Sequence, residues 1–475
     1  MYETTKDSAE KTRGQQLKDD LFYRKKNVYE VSDAERIGDI YAYADGYMRY
    51  LDESKTEREA VKASIAMLEK AGYREYRFGD PLSVGDKIYY NNCNKSLIAC
   101  FIGRADLHQS GIRIVAAHVD SPRIDLKQNP LYEEAGMGFF KTHYYGGLKK
   151  YQWTALPLAL HGVVVRADGT EVSVRIGEDE KDPVFYINDL LPHLGSDQGS
   201  KPLSSAIAGE NLNILVGGLP FADEAVDEKI KLGVLHYLYE KYGITESDFV
   251  SAELCAVPAF RARDIGFDRA FIGAYGHDDR VCAYPALTAL IDKKDEEQTV
   301  MVVLADKEET GSQGNTGMQS CILSDMIDEI SRAFSRSPAR VRDASLCLSA
   351  DVSAAYDPNF PEVYERRNSA MISCGTTMSK YTGARGKSGT NDASAETVAR
   401  IRRMLNARGV MWQTSELGKV DQGGGGTVAM FISRMNIKTV DLGVAVISMH
   451  APYEVISKAD LYTMKEAILA FYEER

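Results

Sequence analysis

Paired cysteines and a CxxC motif are missing from this sequence. Its 475 residues include seven cysteines, an odd number, and they are scattered along the chain. The pattern indicates neither a disulfide framework nor a thiolate zinc site, so we predict a protein of the reducing cytoplasm. The seven are Cys93, Cys100, Cys255, Cys282, Cys321, Cys347 and Cys374.

A long apolar run and an excess of positive charge are also missing. No segment is long enough to span a bilayer, and the first twenty residues are too polar for a signal peptide. The formal net charge is -12 and the pI is about 5.3. We therefore expect neither nucleic acid nor an anionic membrane as a partner.

A phosphate-binding loop is absent as well. The stretch ARGKSG supplies Gly386, Lys387 and Ser388, but such a loop also requires a glycine at position 381, which is Tyr381. The stretch DQGGGG does not match G-x-G-x-x-G, although its bare backbone allows a close approach to a substrate. Nucleotide binding is not expected.

The chain is long enough for more than one domain, and the spacing of its apolar residues changes twice along the sequence. Ser32 with Glu35 and Thr56 with Glu59 have capping-box spacing before helical patterns, and β-rich runs follow. Between about 128 and 258 the runs alternate as in antiparallel strands, and afterwards strands and helices alternate. We predict a discontinuous α/β catalytic domain (1–127 and 259–475) with an inserted, mainly β domain (128–258).

The stretch VMVVLADKEETGSQG, residues 300–314, is the centre of the prediction. An unbroken apolar run of strand length ends in four charged residues, including Glu308 and Glu309. This pattern predicts a buried parallel strand that presents carboxylates at its C-terminal end, where open α/β sheets keep their sites. A solvated acidic turn is the alternative for this stretch taken alone.

Other predicted strands in the α/β portion also end in histidine or acidic residues. Singly, such a histidine is more often packed or hydrogen bonded, and an acidic pair is more often a helix cap. Together, two imidazoles and several carboxylates without a thiolate suit a hydrolytic zinc, manganese or cobalt centre, with two ions sharing an aspartate. The residues are His118, Asp120, Asp278, Asp279, Glu308, Glu309, Asp351 and His450.

The motifs that contain these residues resemble those of the aspartyl aminopeptidase family of dinuclear zinc aminopeptidases, in its bacterial branch. They are AAHVDSPRIDLK, GAYGHDDRVCA, ADKEETGSQG, SADVSAAYDP and SMHAPYEV, in this order, and the similarity extends over nearly the whole chain. The resemblance implies a mixed sheet sandwiched by helices, as in zinc peptidases and phosphorylases.

The resemblance also implies a role for each matching residue. His118 and Asp351 would hold one ion, Glu309 and His450 the other, and Asp278 would bridge them. Glu308 would be the general base, and Asp120 would orient His118. The implied reaction is hydrolysis of the N-terminal residue of peptides with a free amino terminus.

Substrate preference and assembly are further implications of the resemblance. Family members are named for acidic N-terminal residues, and Lys380 matches a lysine thought to face the substrate side chain; a solvated lysine in a basic loop is the alternative. The family also implies dimers, formed through the inserted domain, that assemble into a dodecamer.

Two other functions remain open at this point. A carboxypeptidase, deacylase or amidase can use a similar dinuclear centre, because metal ligands do not select one end of a peptide. A non-catalytic shell or cargo-binding protein could also retain the fold, although it would not need Glu308.

Overall fold

The computed structural model describes residues 11–474, which form three β-sheets and their covering helices. The strands are β1 (Arg74–Glu75), β2 (Lys87–Asn92), β3 (Ser96–Phe101), β4 (Arg113–His118), β5 (Arg123–Glu134), β6 (Met137–Tyr145), β7 (Leu158–Val165), β8 (Glu171–Ile176), β9 (Tyr186–Ile187), β10 (Ile214–Gly217), β11 (Ala252–Pro258), β12 (Arg263–Ile265), β13 (Phe271–Ala274), β14 (Val300–Ala305), β15 (Leu346–Ser349), β16 (Ser353–Ala354), β17 (Thr376–Ser379), β18 (Trp412–Thr414), β19 (Lys438–Gly443), β20 (Ala445–Ile447) and β21 (Glu454–Ser457).

The helices alternate with these strands over much of the chain. None of the helices in the described part combines the length and the apolar character needed to cross a lipid bilayer. They are α1 (Arg13–Leu21), α2 (Val28–Val31), α3 (Ala34–Glu53), α4 (Glu57–Lys70), α5 (Leu107–Ser110), α6 (Ser196–Gly199), α7 (Leu203–Ala206), α8 (Lys229–Tyr242), α9 (His277–Asp292), α10 (Ile322–Ala333), α11 (Pro338–Ala344), α12 (Ala395–Ala407), α13 (Ala429–Ser433) and α14 (Lys458–Tyr472).

The central sheet has nine strands in the order β1-β2-β3-β14-β4-β15-β19-β17-β18. Strand β14 is fully buried and runs parallel to β4, with Ala305 opposite His118. Strand β15 runs parallel to the other side of β4, so β14, β4 and β15 end at the same edge. The predicted buried parallel strand at residues 300–305 is confirmed, although its other neighbour, β3, is antiparallel.

Helices cover both faces of the central sheet, because alternate residues of its strands point in opposite directions. Along β14, Val302 and Leu304 pack in one apolar cluster with α3, α4, α9, α12 and α14, whereas Met301 and Val303 pack with α10, α11 and α13 on the other face. The predicted mixed sheet sandwiched by helices is confirmed.

The second sheet is antiparallel, with seven strands in the order β8-β7-β11-β5-β6-β10-β9. Its strands lie between Arg123 and Pro258 and have a separate apolar core around Trp153. The predicted domain boundary at 127/128 falls within β5, which already pairs with β6 at Arg123. The division into two domains stays a prediction, and residues 1–10 and 475 of the predicted catalytic domain lie outside the described residues.

A buried ionic cluster fastens the second sheet to the helical layer. His161 of β7 places Nδ1 2.8 Å from Glu59 Oε1 and Nε2 2.9 Å from Glu178 Oε1. Lys55, just before α4, lies 2.6 Å from the same Glu178 oxygen and donates to the Pro258 carbonyl. Because charged groups this deeply buried require partners, the cluster fixes how the two layers meet.

The two predicted helix starts have different outcomes. The capping box of Thr56 and Glu59 at the start of α4 is confirmed. The prediction that Ser32 caps α3 is wrong by one residue, because Asp33 is the N-cap and accepts from the Arg36 amide. The Ser32 hydroxyl instead donates to the carbonyl of Val28, the first residue of α2, a short helix that the sequence pattern did not predict.

A third sheet of five strands, in the order β12-β13-β21-β20-β16, adjoins the ends of the parallel strands. Strand β13 leads through Gly276 into α9, and the turn between β20 and β21 contains His450. This small sheet therefore brings Asp278 and His450, which are far apart in sequence, to the same edge as β14 and β4.

Candidate metal centre

Five segments bring histidine and carboxylate side chains together at the C-terminal edge of the central sheet. Open α/β sheets collect such residues there because parallel strands end side by side. The segments are the end of β4 (His118), the first turn of α9 (Asp278), the turn after β14 (Glu309), the residue pair after β15 (Asp351) and the β20–β21 turn (His450).

The five side chains form two groups that share Asp278. In each group, one ligand atom per residue lies within 4.8 Å of the others, with His118 and Asp351 in the first group and Glu309 and His450 in the second. His118 Nε2 is 3.1 Å from Asp278 Oδ1, and His450 Nε2 is 3.2 Å from Asp278 Oδ2. The two oxygens of one carboxylate thus face two different imidazoles.

The donor set fits divalent cations. Asp278 Oδ1 and Glu309 Oε1 are buried, and no described residue donates to them when the imidazole nitrogens that face them, His118 Nε2 at 3.1 Å and His450 Nε2 at 3.5 Å, are unprotonated. A buried anionic oxygen without a donor is costly, and a cation satisfies it. Imidazole nitrogens and carboxylate oxygens without a thiolate are the ligands of catalytic zinc sites.

The pKa shifts of the clustered side chains also favour a bound cation. Burial favours the neutral imidazole, but Asp278 and Glu309 outweigh it and raise the pKa of His450 to about 10. Burial, together with the neighbouring Asp279 and Glu308, raises the pKa of Asp351 well above its usual range. The site therefore favours positive charge between these groups and disfavours further negative charge.

Asp120 connects His118 to the glutamate turn. Its Oδ1 lies 3.3 Å from His118 Nδ1, so the other ring nitrogen, Nε2, faces Asp278. The two carboxylate oxygens also accept from the amides of Glu308 and Glu309, at 3.1 and 3.2 Å. His118 Nδ1 also lies 3.1 Å from the Asp120 backbone carbonyl, and the fully buried Asp120 carboxylate holds the turn that supplies both glutamates.

Glu308 lies in a 3₁₀ turn directly before Glu309. The two glutamates line a cavity of about 390 Å³, together with Asp278, Asp351 and His450. Lys307 has φ 66° and Gly311 φ 94°, so the chain reverses sharply around the two glutamates. Burial and, to a smaller extent, Asp278 raise the pKa of Glu308 to about 7. A carboxylate of this kind is suited to proton transfer near neutral pH.

The chain matches known proteins over nearly its whole length. A family model described as "Aminopeptidase I zinc metalloprotease (M18)" matches residues 50–472. The chain belongs to the M18 family of zinc aminopeptidases. The predicted family and the predicted enzyme class, a metal-dependent aminopeptidase, are therefore confirmed.

Individual M18 relatives support the assignment. A "Probable M18 family aminopeptidase 1" of Clostridium acetobutylicum is 48% identical over 463 residues, covering 96% of this chain and 99% of the relative. The crystal structure of an M18 aminopeptidase from Thermotoga maritima is 42% identical, covers 96% of this chain and all of its own, and has a TM-score of 0.90. A structure of the Saccharomyces cerevisiae mApe1 dodecamer is 22% identical and covers 91% of this chain and 96% of its own; its TM-score of 0.74 shows a similar fold.

Lys380, the predicted substrate-binding residue, is not among the described residues that line the cavity. Its ammonium group forms an ion pair with Asp392, whose carboxylate also lies 3.3 Å from Lys387 Nζ. The neighbouring Ser379 and Thr382 line the cavity, whereas no lysine or arginine is among its described lining residues. The cation predicted to meet an acidic substrate is thus already paired.

Several residues around the candidate metal centre have contacts that the sequence did not predict. Glu454 accepts from the amides of His450 and Asp278, at 2.7 and 3.1 Å, and so links the β20–β21 turn to the start of α9. Asp279, joined to Asp278 by a cis peptide, accepts from the His118 amide at 3.3 Å. Glu454 follows His450 by four residues in SMHAPYEV, a spacing that marks a local turn but not this bridging contact.

Removing bound metal is expected to lower the melting temperature, because the ions bind the folded site and relieve repulsion among its buried carboxylates. At a thousandfold excess of free ion over Kd, a ligand that binds only the folded state stabilises it by about 4 kcal/mol. We expect EDTA treatment to lower the melting temperature by several degrees and added zinc to restore it. His450→Ala should respond less to zinc, and equal melting temperatures with and without metal would contradict the site.

Proposed function

We propose that this M18 protein removes the N-terminal residue of peptides by means of a dinuclear metal centre. The observation that supports two ions is the position of Asp278 between two imidazoles, with one carboxylate oxygen towards each. His118 and Asp351 would hold one ion and Glu309 and His450 the other. Zinc suits this donor set, and manganese or cobalt are alternatives.

Glu308 is proposed as the general base, and Asp120 as the carboxylate that orients His118. When bound, the two ions supply a polarised scissile carbonyl and a water of lowered pKa. Glu308 would accept that water's proton and return it to the leaving amine, a role supported by its position in the cavity and by its raised pKa. The neighbouring Glu309 would remain a ligand throughout.

An acidic first residue is the substrate preference that follows from Lys380. Lys380 and Lys387 both pair with Asp392, and Ser379 beside Lys380 lines the cavity, so a substrate carboxylate that displaced Asp392 could bind Lys380. A neutral first residue is the second candidate, favoured by the absence of lysine and arginine among the described lining residues. Asp441, a buried acid in that lining, would also disfavour an anionic substrate side chain.

We further propose a homo-oligomer, formed by dimers through the inserted region and extending to a dodecamer, in the cytoplasm. The mApe1 dodecamer of a protein with this fold is one support. Exposed leucines of the second sheet's region are another, and free thiols support a reducing compartment. The leucines are Leu190, Leu191, Leu194, Leu203 and Leu219. A monomer in light scattering would contradict the assembly.

Glu308→Gln is expected to keep its metal and to lose about 10²- to 10⁴-fold in kcat, because the amide cannot accept the proton. The assay measures release from free-amine aminoacyl amides and N-blocked analogues, with metal content determined on the same samples. Glu309→Gln is the adjacent control and should lose one ion. Full activity of Glu308→Gln would overturn the role, and hydrolysis of N-blocked substrates alone would favour a deacylase. Failure of metal-loaded wild type to hydrolyse any substrate would favour a non-catalytic shell.

The two substrate preferences predict different effects of Lys380→Ala. If Lys380 binds a substrate carboxylate, the ratio of kcat/KM for Asp and Leu amides should fall about tenfold or more, as expected for a charged hydrogen bond. Asp392→Asn should raise the same ratio, because it releases the lysine from its partner. An unchanged Asp-to-Leu ratio in both variants would remove Lys380 from specificity and favour the neutral preference.

A further inference from the structure

Residues 145–147, at the end of β6, approach the metal centre from the second sheet. Tyr145 still pairs with Arg123 of β5, and the two following glycines then leave the sheet. A side-chain Cβ built on Gly146 would lie 3.3 Å from Glu309 Cβ, and one built on Gly147 would lie 3.4 Å from His450 Nδ1. The three residues, here called the 145–147 segment, therefore contact both halves of the site.

Tyr145 contacts the half that contains His118. Its hydroxyl donates to Asp120 Oδ2 at 2.8 Å, the carboxylate that also holds His118 and the glutamate turn. The Arg123 guanidinium lies over the ring, 4.0 Å from its centre, and fixes its orientation. Burial and the nearby Asp120 raise the pKa of the phenol, so it remains a hydrogen-bond donor.

Gly147 contacts the other half. Its carbonyl oxygen is 2.7 Å from His450 Nδ1, so this ring nitrogen carries the proton and donates. In the neutral imidazole that binds a metal ion, Nε2 then carries no proton, and it faces Asp278 and Glu309 at 3.2 and 3.5 Å. The backbone of the second sheet thus selects the tautomer of a histidine 303 residues away in the chain.

We infer that the 145–147 segment is a positioning element for both metal ions, with Tyr145 acting through Asp120 and Gly147 acting through His450. This inference rests on the proposed dinuclear centre. It assigns to the second sheet a function beyond assembly, since the sheet must be folded and docked for the metal ligands to be oriented. Contacts that orient metal ligands in this way typically change metal affinity by about 10- to 100-fold when removed.

The competing explanation is that the Tyr145 hydroxyl merely fastens the second sheet to the glutamate turn. A fastening contact would change the stability of the metal-free protein, whereas a positioning contact changes metal affinity more than stability. Tyr89→Phe is the matched control, because the Tyr89 hydroxyl donates to the Glu69 carboxylate at the same distance, 2.8 Å, and neither residue lines the site.

The first test is metal retention by Tyr145→Phe during titration with a competing chelator, read as zinc ions per chain. We expect the variant to release an ion at a free-zinc concentration about 10- to 100-fold higher than wild type does. Its metal-free melting temperature should match that of Tyr89→Phe, and its kcat should recover with excess zinc. Overlap with wild type, or an equal displacement in Tyr89→Phe, would overturn the inference.

The second test is Gly147→Val, because a Cβ at this position already contacts His450 Nδ1 at 3.4 Å and a larger side chain would press on the ring. Gly147 does not have positive φ, so valine is compatible with its backbone. The inference predicts weaker binding of one ion, while Gly218→Val, with open space around it and no positive φ, should retain wild-type affinity. Unchanged zinc affinity in Gly147→Val would overturn its part of the inference. Wild type that binds fewer than two ions would instead contradict the dinuclear proposal, so the two failures are distinguishable.

Discussion

Repulsion among buried carboxylates is the constraint on which the rest of this structure depends. Two like charges 4 Å apart repel by about 4 kcal/mol at the effective dielectric of about 20 that describes protein sites. Asp278 forms two such pairs, with Asp351 and Glu309, whose ligand oxygens lie within 4.8 Å of its own, so their repulsion is a substantial part of the stability of a typical domain, about 5–15 kcal/mol. Burial and this repulsion raise the pKa values of Glu308 and Asp351. Protonation or bound cations relieve the repulsion.

Three sheets meet at the candidate metal centre and position its charged side chains. The central sheet contributes His118 and the glutamate turn, and the small sheet contributes Asp278 and His450. The second sheet contributes hydrogen-bond partners rather than ligands. Because neither the central nor the small sheet contains a complete set of candidate ligands, the ligands meet only when these two are docked, and the buried cluster around His161 holds the second sheet against them.

Much of the site could be predicted because the decisive pattern is local. An apolar run that ends in charged residues identifies a strand and its functional end without knowledge of the remaining fold, as with Val300–Ala305. The contact between Gly147 and His450 could not be predicted in this way, since it joins segments 303 residues apart and uses a backbone atom. The misplaced cap at Ser32 has a different cause, because adjacent serine and aspartate are both good caps and only the backbone decides.

The metal centre and the substrate preference have separate structural origins. The ligands are fixed by sheet edges, whereas the cavity wall is formed by irregular segments near Ser379 and Gly424–Gly426. In that wall Asp441 accepts from Thr427, and burial raises its pKa to about 6. An acidic substrate side chain would have to approach this carboxylate or compete with Asp392 for Lys380. The wall can therefore alter the preferred residue without altering the metal ligands, which is why the ligand motifs identify the reaction but not the peptide.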